Sequence, residues 1–138
     1  PDSVKKAAQQ AHVAHNIEAF PKGYGTLLGE RGVNLSGGQK QRISIARALM
    51  RHPELLILDD SLSAVDTDTE THILQALKDE SGEAAVLMMS HRVSSLRHAD
   101  WVVVLDEGEV AEAGTPAELI EKEGVFAGMV QDQALHEP

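Results

Sequence analysis

The sequence predicts an α/β domain in which buried parallel strands alternate with helices. Two apolar runs carry this expectation, Leu55-Leu56-Ile57-Leu58 and Ala84-Ala85-Val86-Leu87-Met88-Met89. Neither alternates with polar residues, as expected of strands covered on both faces in a parallel sheet. Each ends on polar chemistry, Asp59-Asp60 in one case and Ser90-His91 in the other. Between them, Ile73, Leu74 and Leu77 recur at helical spacing, the pattern of a crossover helix.

A second helix start is marked earlier, at Leu35-Ser36-Gly37-Gly38-Gln39. Ser36 is a favoured N-cap and Gln39, three residues on, completes a capping-box pattern. The helix-favouring run from Gln39 to Met50 follows at once. Its first turn offers N–H groups and the positive dipole end, while Gly37 and Gly38 let an anion approach the backbone. Phosphate suits such a site, although a Ser-Gly-Gly loop alone is also compatible with simple flexibility.

Length and composition set bounds on the rest. The 138 residues fit one domain at most, large enough for a core. With no cysteine, neither a disulfide framework nor a cysteine metal site is available. A formal net charge of −10 disfavours non-specific binding to nucleic acid or anionic lipid. No apolar run approaches the roughly 20 residues of a membrane span, and no signal-peptide pattern opens the chain. A soluble, cytosolic piece is expected, with any membrane part on another segment.

In chain order, 2–20 reads as helical, with Val4, Ala7, Ala8 and Ala11 as a stripe, Asp2 or Ser3 as cap, and Ile17 and Phe20 as a short second face. Pro21 to Gly25 is loop chemistry. On the helix after Ser36, Ile43, Ala46, Leu49 and Met50 are the expected core positions, and Lys40, Arg42, Arg47 and Arg51 fall on the surface. Ser61 to Asp66 reads as a turn, and Thr67 to Glu70 as a capping box opening the crossover helix, which ends at Ser81-Gly82-Glu83. Trp101–Leu105 and Glu109–Ala111 flank a tight turn and read as a hairpin. Thr115-Pro116-Ala117-Glu118 is a strong helix start. A last short helix is expected around Val125, Phe126, Met129 and Val130, with 131–138 frayed.

These pieces, in this order, resemble the ATP-binding domain of ABC transporters. Leu35–Gln39 resembles the signature motif, Leu55–Asp59 Walker B, Ser63–Asp66 the D-loop and His91 the switch histidine. Gly29-Glu30-Arg31-Gly32 resembles the X-loop of exporters. The similarity runs from near the start of the chain to about Leu119. It implies a partial P-loop NTPase-like fold, with 1–35 in the helical subdomain and 36–138 in the C-terminal part of the catalytic subdomain. It further implies ATP and Mg²⁺ as cofactors, with Ser36, Gly37, Gly38 and Gln39 on the nucleotide of a second subunit. By the same resemblance Asp59 holds Mg²⁺ through water, and Asp60 and His91 serve the attacking water. Ser63, Ala64 and Asp66 would line the dimer interface, although Asp66 could equally be a helix cap. Glu30 and Arg31 would couple to transmembrane domains of the same transporter, at the cytoplasmic face of the cell membrane.

Two departures from the family pattern matter. Asp60 stands where the family usually carries glutamate, and its oxygens retreat by about 1 Å, a displacement that can cost on the order of 10²-fold in rate. This suggests the degenerate half of a heterodimeric exporter, against the competing reading that Asp60 still works as a base. In addition, no Gly-x-x-x-x-Gly-Lys-[Ser/Thr] stretch occurs in the sequence. The chain therefore reads as a fragment, inactive alone, whose phosphate loop belongs upstream of Pro1. Without the Walker A strand, apolar surface should be left open. The alternatives are a soluble ABC ATPase acting on DNA, which the acidic charge disfavours, and a non-catalytic dimerisation or regulatory module. His12, His15, His52, His72, His98 and His136 suggest no metal grouping.

Overall fold

The computed structural model describes residues 1–29, 33–80 and 84–136, so Glu30, Arg31 and the expected helix end at 81–83 lie outside the described residues. Its elements run α1 (Asp2–Gln10), α2 (Ala14–Glu18), one 3₁₀ turn (Gly23–Gly25), α3 (Gly37–Leu49), β1 (Leu55–Asp59), α4 (Thr67–Glu80), β2 (Ala85–Met89), α5 (Val93–Leu96), β3 (Val102–Asp106), β4 (Glu109–Gly114), α6 (Pro116–Glu121) and α7 (Val125–His136). They form two compact units, Pro1–Met89 and Ser90–Pro138.

In the first unit, the expected helix over 2–20 is broken in two. His12 takes φ +56°, a left-handed conformation that ends one helix before the next begins. Neither Asp2 nor Ser3 caps α1: Pro1 holds the N-cap position, without a side-chain hydrogen bond. α1 packs on α3 and α4, and the core gathers Ala8, Val13, Ile45, Leu58, Ile73 and Leu77. On α3 the buried residue is Ile45, with Ile43, Ala46 and Leu49 only partly buried around it and Met50 exposed. Ile43, Ala46 and Leu49 thus pack against the core as expected, Ile45 is a core position the expected stripe lacked, and Met50 is not part of it.

β1 and β2 pair in parallel, from Leu55↔Ala85 to Asp59↔Met89. The ladder is extended by Ala85 N–H to Glu54 O and Asp60 N–H to Met89 O, both 2.9 Å. Cover on both faces is not found among the described residues, whereas the open apolar surface expected without the Walker A strand is. Leu56 and Leu58 are buried, whereas Leu55 and Ile57 are 52% and 55% exposed. On β2, Val86, Leu87 and Met89 are exposed as well. A strand presents alternate residues to opposite faces; one face meets the core, and the other has no cover among the described residues.

α4 starts one residue earlier in its capping logic than expected. Asp66, not Thr67, caps it, accepting from Thr69 N–H at 3.0 Å and Thr69 Oγ1–H at 2.7 Å. Glu70 is consequently not a capping-box partner; it faces inward and is 1% exposed.

In the second unit, β3 and β4 form the expected antiparallel hairpin, with a register shift between Val104 and Leu105. Glu107 and Gly108 both take positive φ, +48° and +78°, as a two-residue type I′ turn requires. α6 begins with the full Thr115/Glu118 capping box and Pro116 in its first turn. Val93, Val102, Leu119 and Phe126 form the core. α5 has no counterpart in the sequence reading. α7 is longer than expected, running to His136. Its start is held by the Glu112 carboxylate, which accepts from Val125 N–H and Phe126 N–H, both at 3.0 Å.

Candidate functional site

The tip of α3 has the expected capping box: Ser36 Oγ accepts from Gln39 N–H at 3.2 Å, and Gln39 Oε1 accepts from Ser36 N–H at 3.0 Å. The Ser36 hydroxyl proton and the Gln39 side-chain NH₂ remain donors in this arrangement. The Gly37 and Gly38 amides belong to the first turn, where helix geometry supplies no intrahelical acceptor. Donors and dipole end converge there on an acceptor of negative charge, and a phosphate oxygen fits that chemistry.

The same tip is pressed against the turn that leaves β1. A Cβ on Gly38 would lie 2.7 Å from the Ala64 carbonyl oxygen, and one on Gly37 would lie 3.3 Å from Ala64 Cβ. Glycine at 38 is thus needed for close approach as well as for the anion. Gln41 spans the same gap. Its Oε1 accepts from Ala64 N–H at 2.8 Å, and its Nε2 donates to Ser63 Oγ at 2.8 Å and to Asp60 O at 3.4 Å. The structure therefore brings Ser36–Gln39 together with Asp60, Ser63 and Ala64.

Asp59 and Asp60 sit where β1 ends, and both are exposed. Asp60 takes φ +53°, a left-handed conformation to which aspartate is better suited than most residues. An exposed carboxylate at a strand end suits a Mg²⁺ ion completed by phosphate oxygens and water. Groups of three or more metal-ligating side chains are absent among the described residues. Asp66 is held below the usual carboxylate range, first by the Thr69 hydroxyl, then by the Thr69 N–H.

Arg42 corrects the expectation of a surface cation. It donates to Gly38 O at 3.2 Å, His12 O at 2.7 Å and Asn16 Oδ1 at 3.0 Å, tying the helix tip to the α1–α2 junction. Beside it His12 stacks on His72, with centroids 5.2 Å apart and planes at 14°, and meets His15 edge-on, also at 5.2 Å. Burial pushes the His12 imidazole pKa down, helped by His15, His72 and Arg42 and opposed by Asp66.

His91 lies in the second unit, where it is exposed. Its carbonyl accepts from Gln133 Nε2 at 2.6 Å, and Gln133 Oε1 accepts from Val93 N–H at 2.7 Å. α7 thus continues past Gln131 to His136 within the described residues. Gln41, Arg42 and Gln133 escaped the sequence reading because nothing in a surface-type amide or guanidinium announces a partner far along the chain. For Gln41 alone a hint existed, since it lies one helical turn from Gly37 and Gly38 on the same face.

Comparison with known proteins agrees with this geometry. The family profile described as ABC transporter matches residues 2–63. The chain is 48% identical over 130 residues to the mitochondrial potassium channel ATP-binding subunit of Xenopus tropicalis, covering 94% of the chain and 19% of that protein. It is 46% identical over 132 residues to a probable multidrug resistance ABC transporter ATP-binding/permease protein of Bacillus subtilis, covering 96% of the chain and 23% of the relative. An ATP-dependent lipid A-core flippase of Photobacterium profundum is 46% identical over 124 residues, 90% of the chain and 21% of the relative. The chain thus spans about a fifth of the length of these relatives. Among solved structures, a bacterial Atm1-family ABC exporter with ATP bound superposes with a TM-score of 0.90 at 40% identity, over 96% of this chain and 24% of that one.

Proposed function

Because the chain carries a segment of an ABC transporter ATP-binding domain related to those of exporters, we propose that the intact protein binds and hydrolyses ATP at a dimer interface to drive export. In this reading Ser36, Gly37, Gly38 and Gln39 complete the nucleotide site of a second subunit. Asp59 holds Mg²⁺ through water on the nucleotide of its own subunit, and Asp60 and His91 orient the attacking water there. Mg²⁺, when bound, neutralises charge on the transferring phosphate. Ser63, Ala64 and Asp66 face the partner, and Glu30 and Arg31 couple to the transmembrane domains. Residues 1–35 act as the helical subdomain and 36–138 as part of the catalytic one.

The observation that carries this reading is the glycine tip of α3, capped by its own box and pressed on the turn after β1. A helix end that needed only a cap would not require two residues without side chains against Ala64. The relatives support the exporter reading over a DNA-directed ATPase or a non-catalytic module. One of them is named as mitochondrial, so the membrane is proposed as that of an exporter, with the ATPase domain on its cytoplasmic face, and is not narrowed to the cell membrane.

Asp60 makes the subunit's own site slow, and the subunit acts chiefly as the trans contributor in a heterodimer. Alone, without a Walker A loop to hold the β- and γ-phosphates, residues 1–138 turn over no ATP. The experiment is ATP turnover of the full-length protein with its partner subunit. Asp60→Glu should raise turnover at this site by roughly 10- to 100-fold, and Ser36→Asp should abolish it at the partner's. Unchanged turnover in both variants would sink the proposal.

A further inference from the structure

We infer that Gln41 is a positioning residue for the proposed ATP reaction, its side-chain amide fixing the Asp60–Ala64 turn to the helix tip that meets the nucleotide. This rests on the function proposed above. The turn needs holding. It leaves β1 through Asp60 at φ +53°, an uncommon conformation that persists only when its surroundings impose it. Leu62 and Val65 anchor the turn in the core from beneath, and Val65 N–H closes it on Leu62 O at 3.0 Å. On its upper side, Gln41 supplies the side-chain hydrogen bonds that fix its distance from α3.

Both ends of the amide are used, and that makes the contact directional. The oxygen accepts from Ala64 N–H and the nitrogen donates to Ser63 Oγ and Asp60 O. A 180° flip of the amide would set donor against donor and acceptor against acceptor. The turn can therefore dock in one register only, and Gly38, which a Cβ would drive into Ala64 O, lets it dock closely. The residue after Asp59 and the amides at the tip of α3 consequently move as one body. A displacement at either nucleotide-facing element is passed to the other through Gln41. These bonds lie near the surface, so their loss should disturb geometry more than stability.

The test uses the full-length protein assembled with its partner subunit. Gln41→Met is similar in volume and has no comparable hydrogen-bonding atoms. It should lower kcat roughly tenfold, keep KM for ATP within about twofold, and leave Tm nearly unchanged. Gln41→Glu keeps an acceptor for Ala64 N–H and can take the Ser63 hydroxyl proton, so it should recover about a third of the wild-type kcat or more. Ser63→Ala alone should lower kcat, but add nothing in the Gln41→Met background.

Wild-type kcat in Gln41→Met would overturn the inference. So would a loss that Gln41→Glu does not relieve, or one that multiplies with Ser63→Ala. If Gln41→Met does not fold, Ser63→Ala alone decides, and a wild-type kcat in that variant would overturn the inference. A wild-type assembly that neither binds nor hydrolyses ATP would overturn the function proposed above, and this inference with it.

Discussion

Gln133 donates to the His91 carbonyl at 2.6 Å and accepts from the Val93 N–H at 2.7 Å, across 42 and 40 positions of sequence. One amide on α7 thereby fixes the backbone on either side of Arg92. It also gives the first N–H of α5 an acceptor that a four-residue helix cannot supply itself. Gln133→Met removes both bonds. It should destabilise the protein by about 1–2 kcal/mol in denaturant unfolding and lower the ATP turnover proposed for the full-length protein while ATP binding persists. Unaltered turnover would show that His91 needs no such support.

Ser36 separates capping from ligand binding. Ser36→Ala loses the acceptor for Gln39 N–H and should cost about 1 kcal/mol. Ser36→Asp keeps a good cap and the favourable dipole interaction, so stability should hold. Its negative charge, however, stands where phosphate is proposed to bind. Denaturant melts and nucleotide binding measured on both variants would reveal whether the two roles divide in this way.

Gly38→Ala should destabilise by about 1–3 kcal/mol, because its Cβ would meet the Ala64 carbonyl at 2.7 Å and one backbone must give way. Gly37→Ala, whose contact is 3.3 Å to a methyl group, should be milder. Equal melting temperatures for the two variants would contradict the close approach of α3 to the turn.

Acid should weaken the α1–α2 junction. Burial, followed by His15, His72 and Arg42, lowers the folded-state pKa of His12 below its unfolded value. The unfolded chain therefore takes up the proton first. Stability is full above the unfolded pKa of about 6.5 and declines as pH falls through it toward the folded value. Asp66, whose pKa is depressed, works at lower pH: its contribution is present above the unfolded value and goes as pH falls through the folded one. Between pH 7.5 and 5.5, Tm should thus fall in the wild type. His12→Asn tolerates the positive φ and removes the titration, so it should fall less. Identical pH profiles would exclude His12 as the origin.

The parts of the fold legible in the sequence are those whose chemistry is local. Ser36 with Gln39, Thr115 with Glu118, and the Glu107-Gly108 turn each involve partners within three residues, and each has the geometry its residues specify. Asp66 and Thr67 were competing caps one position apart, and spacing alone could not choose between them. Gln41, Arg42, Glu112 and Gln133 act on groups 13 to 42 positions away. Their side chains look like any solvated surface, so beyond the spacing of Gln41 from the two glycines their roles had no signal. The run Leu55–Leu58 announces that both faces can be buried, but not that Leu55 and Ile57 are exposed here.

The parallel pairing of β1 with β2 has a kinetic side. Two parallel neighbours cannot zip from a short hairpin, because the chain must first travel through the intervening helix before the second comes alongside. On the ribosome, Leu55 to Leu58 therefore emerge well ahead of their partners Ala85 to Met89. Ile73 and Leu77 of the intervening α4 share a core with Leu56 and Leu58, which makes them candidates for the folding nucleus. Until the ladder closes, the edge of β1 that will meet β2 is left open, the kind of exposure that chaperones shield.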